Sequence, residues 1–227
     1  MSDIFQEVDE EFRRDKAVEF WTRHQNSILA VAIVVVLATG GYRYWQYHQA
    51  QRAQAAGAAF QNALKLDAAG KPDEARAALA KLQAEAPKGY AALSRFVDAG
   101  LMAKKDPKAS AAAYDALAAD ASLDSLLRDT AKLRAALARL AAGETEAARP
   151  ALEALAASGA YRDTARLTLA SLAIAAKDYP AARKWLDGVV ANFGASQSDR
   201  RTADALLGFV ASQSPAPAPS TPTPKKP

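Results

Sequence analysis

Hydrophobic positions along this chain follow two regimes, one continuous and one periodic. Between Arg23 and Arg43 lie nineteen residues without a formal charge, and the centre of that run, Ile28 to Leu37, is almost wholly aliphatic. At about 1.5 Å of rise per residue a helix of this length covers roughly 28 Å, close to the hydrocarbon thickness of a bilayer. Trp21 precedes the run and Tyr42, Tyr44, Trp45 and Tyr47 follow it, so amphipathic rings stand at both ends, where a membrane interface favours them. The pattern predicts one transmembrane helix over 25–47. Ahead of it, in segment 1–24, Ile4, Phe5, Val8 and Phe12 recur every three or four residues, which predicts a short amphipathic helix able to dock on a membrane protein or lie at the membrane surface.

A cleaved signal peptide is the rival reading of the apolar run, with Val36-Leu37-Ala38 as its cleavage site. Seven acids precede the run, Asp3, Glu7, Asp9, Glu10, Glu11, Asp15 and Glu19, whereas secretory n-regions are short and basic. An uncleaved anchor is therefore expected. Arg13, Arg14, Lys16 and Arg23 lie before the span and Arg43 and Arg52 after it. The positive-inside rule then predicts a cytoplasmic N-terminus and a long C-terminal domain on the outer side, the periplasm in a bacterium with two membranes.

Beyond Gln46 alanine dominates and leucines recur at helical spacing, which predicts an all-α domain over 48–212. Breakers divide it at Gly70-Lys-Pro72, Ala86-Pro87-Lys-Gly89, Asp106-Pro107, Gly143, Ser158-Gly159, Asp178-Tyr-Pro180 and Phe193-Gly194. The intervening segments have the length of globular helices. Strands are not expected, because no segment alternates with β-branched residues.

Alternate breakers open similar phrases. Gly70-Lys-Pro-Asp-Glu-Ala-Arg-Ala-Ala-Leu79 aligns with Gly143-Glu-Thr-Glu-Ala-Ala-Arg-Pro-Ala-Leu152 and with Lys177-Asp-Tyr-Pro-Ala-Ala-Arg-Lys-Trp-Leu186, and Lys105-Asp-Pro-Lys-Ala-Ser-Ala-Ala-Ala-Tyr114 is a weaker copy. Their first residues, at 70, 105, 143 and 177, are 35, 38 and 34 residues apart. This resembles the tetratricopeptide repeat, a helix-turn-helix unit of about 34 residues. The second-helix signature matches Ala75, Leu79 and Pro87 in the first copy and Ala182 and Leu186 in the fourth, where Gly194 replaces the proline. First-helix signature positions are mostly alanine or leucine. The resemblance implies a solenoid of four hairpins, with a terminal helix over Ser198 to Ser212 closing the stack and Gln49 to Asp67 leading into it from the span. The last segment, 213–227, is rich in proline and is expected to be extended and mobile.

Composition narrows the chemistry. The chain has no cysteine, which excludes disulfides, thiolate nucleophiles and zinc-thiolate sites. Its net charge of +4 is spread thinly, without the clustered basic face of a nucleic-acid binder. The two histidines, His24 and His48, flank the span. No phosphate loop, serine elbow or metal-ligand spacing is present. Asp73-Glu74 and Glu144-Thr-Glu146 fall in predicted first helical turns, where carboxylates suit the helix macrodipole. No enzyme activity, cofactor, metal or small-molecule substrate is expected. What remains is a surface for protein partners on the concave side, lined by first helices. Taking the repeat frame literally, its candidates are Phe60, Arg95, Met102, Leu133 and Leu167. The apolar members also suit a core, while Arg95 and Met102 suit adaptable peptide contact.

The opening Met1-Ser-Asp-Ile-Phe-Gln-Glu-Val-Asp-Glu-Glu-Phe-Arg-Arg-Asp15, then Phe20-Trp21, the single span, Gly41-Tyr-Arg-Tyr-Trp45 and the alanine-rich repeats together resemble the YfgM-type family of membrane-anchored tetratricopeptide proteins. The resemblance covers about residues 1–212. It implies an inner-membrane protein with a periplasmic repeat domain, ancillary to the Sec translocon and working beside the periplasmic chaperone PpiD, with Sec components, a chaperone or emerging exported chains as partners and the bilayer held through the span. No site residue is carried over from the family. The alternative reading is a cleaved, soluble periplasmic repeat protein coordinating cell-envelope assembly.

Overall fold

In the computed structural model residues 3–213 are described, with side chains at 18, 21–26 and 29–213. The expected proline-rich tail beyond 213 and the stripe of Ile4, Phe5, Val8 and Phe12 side chains lie outside this set. Among the described residues all regular structure is helical. The chain divides into two compact units, residues 1–58 and 59–227.

The first unit is helical throughout its described residues. Helix α1 (Asp3–Ala68) runs through the predicted N-terminal helix, the span and the lead into the repeats without interruption. No proline occurs before Pro72, and the Gly40-Gly41 pair is tolerated inside a helix. Every residue from 29 to 50 is exposed, including Leu29, Val36 and Leu37 at 62%, 69% and 69%. Such a bare aliphatic surface suits lipid, not water. Thr39 Oγ1 donates to the Val35 carbonyl at 2.7 Å, so this hydroxyl is satisfied within the helix. The stretch from Trp21 is long and apolar enough to cross a membrane.

In the second unit the end of α1 pairs with α2 (Pro72–Glu85). The next hairpins are α3 (Lys88–Met102) with α4 (Pro107–Ala118), α5 (Ser125–Ala141) with α6 (Thr145–Ala157), and α7 (Arg162–Ala175) with α8 (Tyr179–Val190). Helix α9 (Gln197–Gln213) follows, over the stretch where the terminal helix was expected. Each helix from α2 onward packs on its successor, and α9 also reaches α7.

The turns explain the repeat phrases. In the first, third and fourth hairpins the residue after the first helix's C-cap is left-handed: Gly70 at φ 76°, Gly143 at φ 77° and Lys177 at φ 59°. The following amides return to carbonyls five residues back, Lys71 to Leu66, Glu144 to Arg139 and Asp178 to Ala173, which is the Schellman closure. The second turn is one residue longer and closes instead through Asp106 N to the Met102 carbonyl at 2.8 Å. Asp106 and Asp178 then cap the second helices by accepting from the amides of Ala109 and Ala181.

Second helices repeat one packing pattern. Four residues after their N-caps stand Ala75, Ser110, Ala148 and Ala182, each fully buried. Four further on stand Leu79, Tyr114, Leu152 and Leu186, and three beyond those Leu82, Leu117, Leu155 and Val189, all buried. Each large side chain contributes about 2 kcal/mol by leaving water, and the small residue ahead of it lets the first helix approach. The two polar members carry their own bonds: Ser110 Oγ donates to the Ala99 carbonyl at 2.7 Å and Tyr114 OH to the Phe96 carbonyl at 3.1 Å.

A built Cβ at Gly143 meets nothing within 4 Å, so its requirement for glycine is one of backbone alone. Gly143→Ala is expected to cost about 1 kcal/mol, and Lys177→Gly to add about 0.5 kcal/mol after the entropy of the extra glycine. Urea midpoints of the two variants read both signs.

Candidate partner-binding surface

Counting back from the last residue of each first helix puts equivalent positions on one scale. Eight before the end stand Phe60, Ser94, Leu133 and Leu167. Ser94 and Leu133 are buried and the other two are half-buried. Phe60 lies 6.1 Å from the Tyr90 ring and packs on the first core, Leu133 belongs to the third and Leu167 packs on the last. This row faces inward. Ser94 Oγ is enclosed in it with no hydrogen-bond partner among the described residues.

The outward rows follow at seven, four and zero positions before the end. They are Gln61, Arg95, Arg134 and Thr168; then Leu64, Asp98, Leu137 and Ser171; then Ala68, Met102, Ala141 and Ala175. None of these twelve is buried. Leu64 and Leu137 are 42% and 37% exposed, an apolar surface that a hairpin core does not require.

The sequence-predicted residues therefore separate. Phe60, Leu133 and Leu167 lie ten residues ahead of the anchors at 70, 143 and 177, and so does Arg95 relative to 105. The extra residue in the second turn advances Arg95 by one helical position, about 100°, out of the inward row. The expectation that Leu133 lines a surface is corrected, since its side chain is 6% exposed inside a core. Arg95 and Met102 do face outward, in different rows. Leu64, Arg134 and Leu137 were missed, and a count from the helix ends finds them.

Arg95 is a tie. Its Nη1 donates to Asp120 Oδ2 at 2.5 Å, fastening α3 to the loop after α4. The same carboxylate accepts from Ser122 Oγ at 2.6 Å and Ser122 N at 3.0 Å. These bonds, the Ser122 hydroxyl foremost and Arg95 next, hold Asp120 down from 3.8 to about 2. Corresponding ties fix the other open ends: Thr130 to Tyr161 OH at 2.8 Å and Asn192 Nδ2 to Asp163 Oδ2 at 2.6 Å. Arg76 bonds Asp98 at 2.7 Å across successive hairpins, and Arg139 bonds Asp115 likewise. Arg134 has no ion pair among the described residues, which leaves one exposed guanidinium on α5 beside Leu137.

Met102 lines a cavity of about 240 Å³ at the turn side of α2, α3 and α4, with Pro72, Leu101 and Ala109 forming the rest of its apolar wall. Its rim carries Arg76, Lys104 and Lys105. Lys104 pairs with Asp67 at 3.0 Å and Lys105 with Asp73 at 2.9 Å; the bond to Lys105 draws Asp73 below the usual carboxylate range. Lys108 pairs with Glu144 at 2.7 Å and is raised by it. The acids singled out in the sequence thus sit at helix starts and in ion pairs.

Residues 18–159 match the model of the tetratricopeptide repeat-like domain family, a stretch that begins ahead of the apolar run and ends after α6. The chain is also 34% identical over 139 residues to the ancillary SecYEG translocon subunit of Escherichia coli (strain K12), covering 57% of this chain and 64% of that protein. The chain thus spans less than two thirds of that relative's length, and the YfgM-type resemblance is borne out.

Because the folded value of Asp120 lies below the unfolded one, the contribution of its contacts is complete above about pH 4 and is lost as the pH falls toward 2. Carboxyl NMR of the chain is expected to give Asp120 a midpoint near 2; an ordinary midpoint near 4 contradicts the tie.

Proposed function

Since the chain belongs to the tetratricopeptide repeat-like family, whose model it matches from residue 18 to residue 159, we propose that it is a non-catalytic adaptor anchored in the bacterial inner membrane. The apolar run of α1 spans the bilayer once, uncleaved, with the N-terminal segment in the cytoplasm and the hairpin stack in the periplasm. The stack works beside the Sec translocon, where its first-helix face holds a partner: a translocon component, a periplasmic chaperone or an emerging exported chain.

One observation carries this reading. The family match runs through the apolar segment and the first three hairpins together, which supports an anchor that stays with the stack over a dispensable leader. The relative described as an ancillary translocon subunit supports the placement beside the channel. Arg13, Arg14, Lys16 and Arg23 before the span, against Arg43 and Arg52 after it, support the orientation. The outward rows supply the contact chemistry: apolar Leu64, Leu137 and Met102 with the exposed guanidinium of Arg134, a combination suited to a segment that mixes apolar and acidic residues.

The test is crosslinking from this face in membranes. A photoreactive residue in place of Leu137, in the full chain during active export, is expected to capture Sec channel subunits, a periplasmic chaperone or a secretory chain. Capture of cytoplasmic proteins alone contradicts both the orientation and the role. An isolated protein beginning at Thr39 contradicts the anchor.

A further inference from the structure

Phe193, in the turn between α8 and α9, is 96% exposed, more than any other large hydrophobic side chain among the described residues. Its backbone is nevertheless clamped on both sides. Asn192 Nδ2 donates to Asp163 at 2.6 Å, and Gly194 N donates to Asn192 Oδ1 at 3.1 Å. Arg200 Nη2 donates to the Phe193 carbonyl at 2.6 Å and to the Ala195 carbonyl at 3.1 Å. A ring left in water on a fixed backbone has the form of an anchor, because little conformational entropy remains to be lost when it inserts. It lies outside the stretch that matches the family model.

The cavity at α2, α3 and α4 has the size and chemistry to receive such a ring. Its volume of about 240 Å³ exceeds the roughly 150 Å³ of an apolar cavity that takes up benzene. The Met102 thioether in its wall makes favourable contacts with ring edges. Arg76, Lys104 and Lys105 share the lining with Asp73 and Asp106, and the three cationic heads, oriented by Asp98, Asp67 and Asp73, can meet an aromatic face. Within one chain the two cannot meet through the packing order, since α5, α6 and α7 stand between the cavity's helices and α8.

We propose that the cavity at the first two hairpins receives the Phe193 side chain of a second copy of this chain. The contact is heterologous, joining the last hairpin of one copy to the first two of the next, so it leaves a free anchor and a free cavity at the ends and builds open chains in preference to closed dimers. It does not depend on the role at the translocon.

Benzophenone chemistry tests it directly, because p-benzoylphenylalanine can replace Phe193 and reacts readily with methionine. Illuminated in its own membrane, the full chain is expected to form dimers and higher species with the adduct on Met102 or its cavity neighbours. Absence of crosslinked copies, adducts on other proteins or lipid alone, or adducts elsewhere on the second copy overturn the proposal. Phe193→Ser in the full chain is expected to weaken self-association about tenfold in sedimentation, with helix content unchanged because the ring is exposed. Unchanged association overturns the proposal as well.

Discussion

The stack depends on one constraint: a helical hairpin has more apolar stripe than its own two helices can cover, and the first helix of the next hairpin covers the remainder. The cores show this division. Ala63, Ala75 and Leu79 of the first hairpin share a cluster with Leu101 of α3. Tyr114 and Leu117 share one with Ala131 and Ala135 of α5, and Leu152 and Leu155 share one with Ala165 and Leu169 of α7. Helix α9 covers the last hairpin in the same manner through Ala203 and Val210. Alanine at so many crossings is then a geometric requirement, since helices that lend a face to two neighbours must approach both closely.

What this packing leaves over is the material for function. Second helices spend their small and large positions on the core, and first helices give several rows to it, Ala63, Ala136 and Ala170 as well as the row of Leu133. Three further rows stay open, and their charges are partly committed to ties between hairpins, as with Arg95 to Asp120 and Asp98 to Arg76. These pairs are half-exposed and contribute little stability singly. Their use is positional, since they fix the angle at which one first helix presents its open rows relative to the next. Arg134, Leu137 and Leu64 stay outside these ties, so a segment laid on the proposed face would displace none of them.

Much of the fold was legible because its constraints are local. A left-handed turn residue, a cap and a small-then-large apolar pair are fixed by backbone geometry within a dozen residues, so Gly70, Gly143, Ala75, Leu79, Ala182 and Leu186 gave the period and the second helices. The open rows were not legible in the same way. First helices here carry alanine or leucine on both sides, so identity does not separate inward from outward positions, and the one extra residue before Asp106 shifts α3 by a full helical step against the repeat. Arg95 was found through that shift and Leu133 was misplaced without it. The continuity of α1 through three predicted segments follows from the lack of any proline there, a feature that boundaries drawn from charge and hydropathy overlook.

Completion of each hairpin core by the following helix is open to test at the end of the stack. Ala203 is fully buried in α9, and Ala203→Asp places an unpaired carboxylate in that contact, which undocks the helix. Amide hydrogen exchange on the full chain is then the measurement. Protection is expected to fall at least about tenfold in α7 and α8 while α2 and α3 retain theirs. Unchanged protection in α8 with α9 undocked means that the last hairpin is self-sufficient, and contradicts that completion.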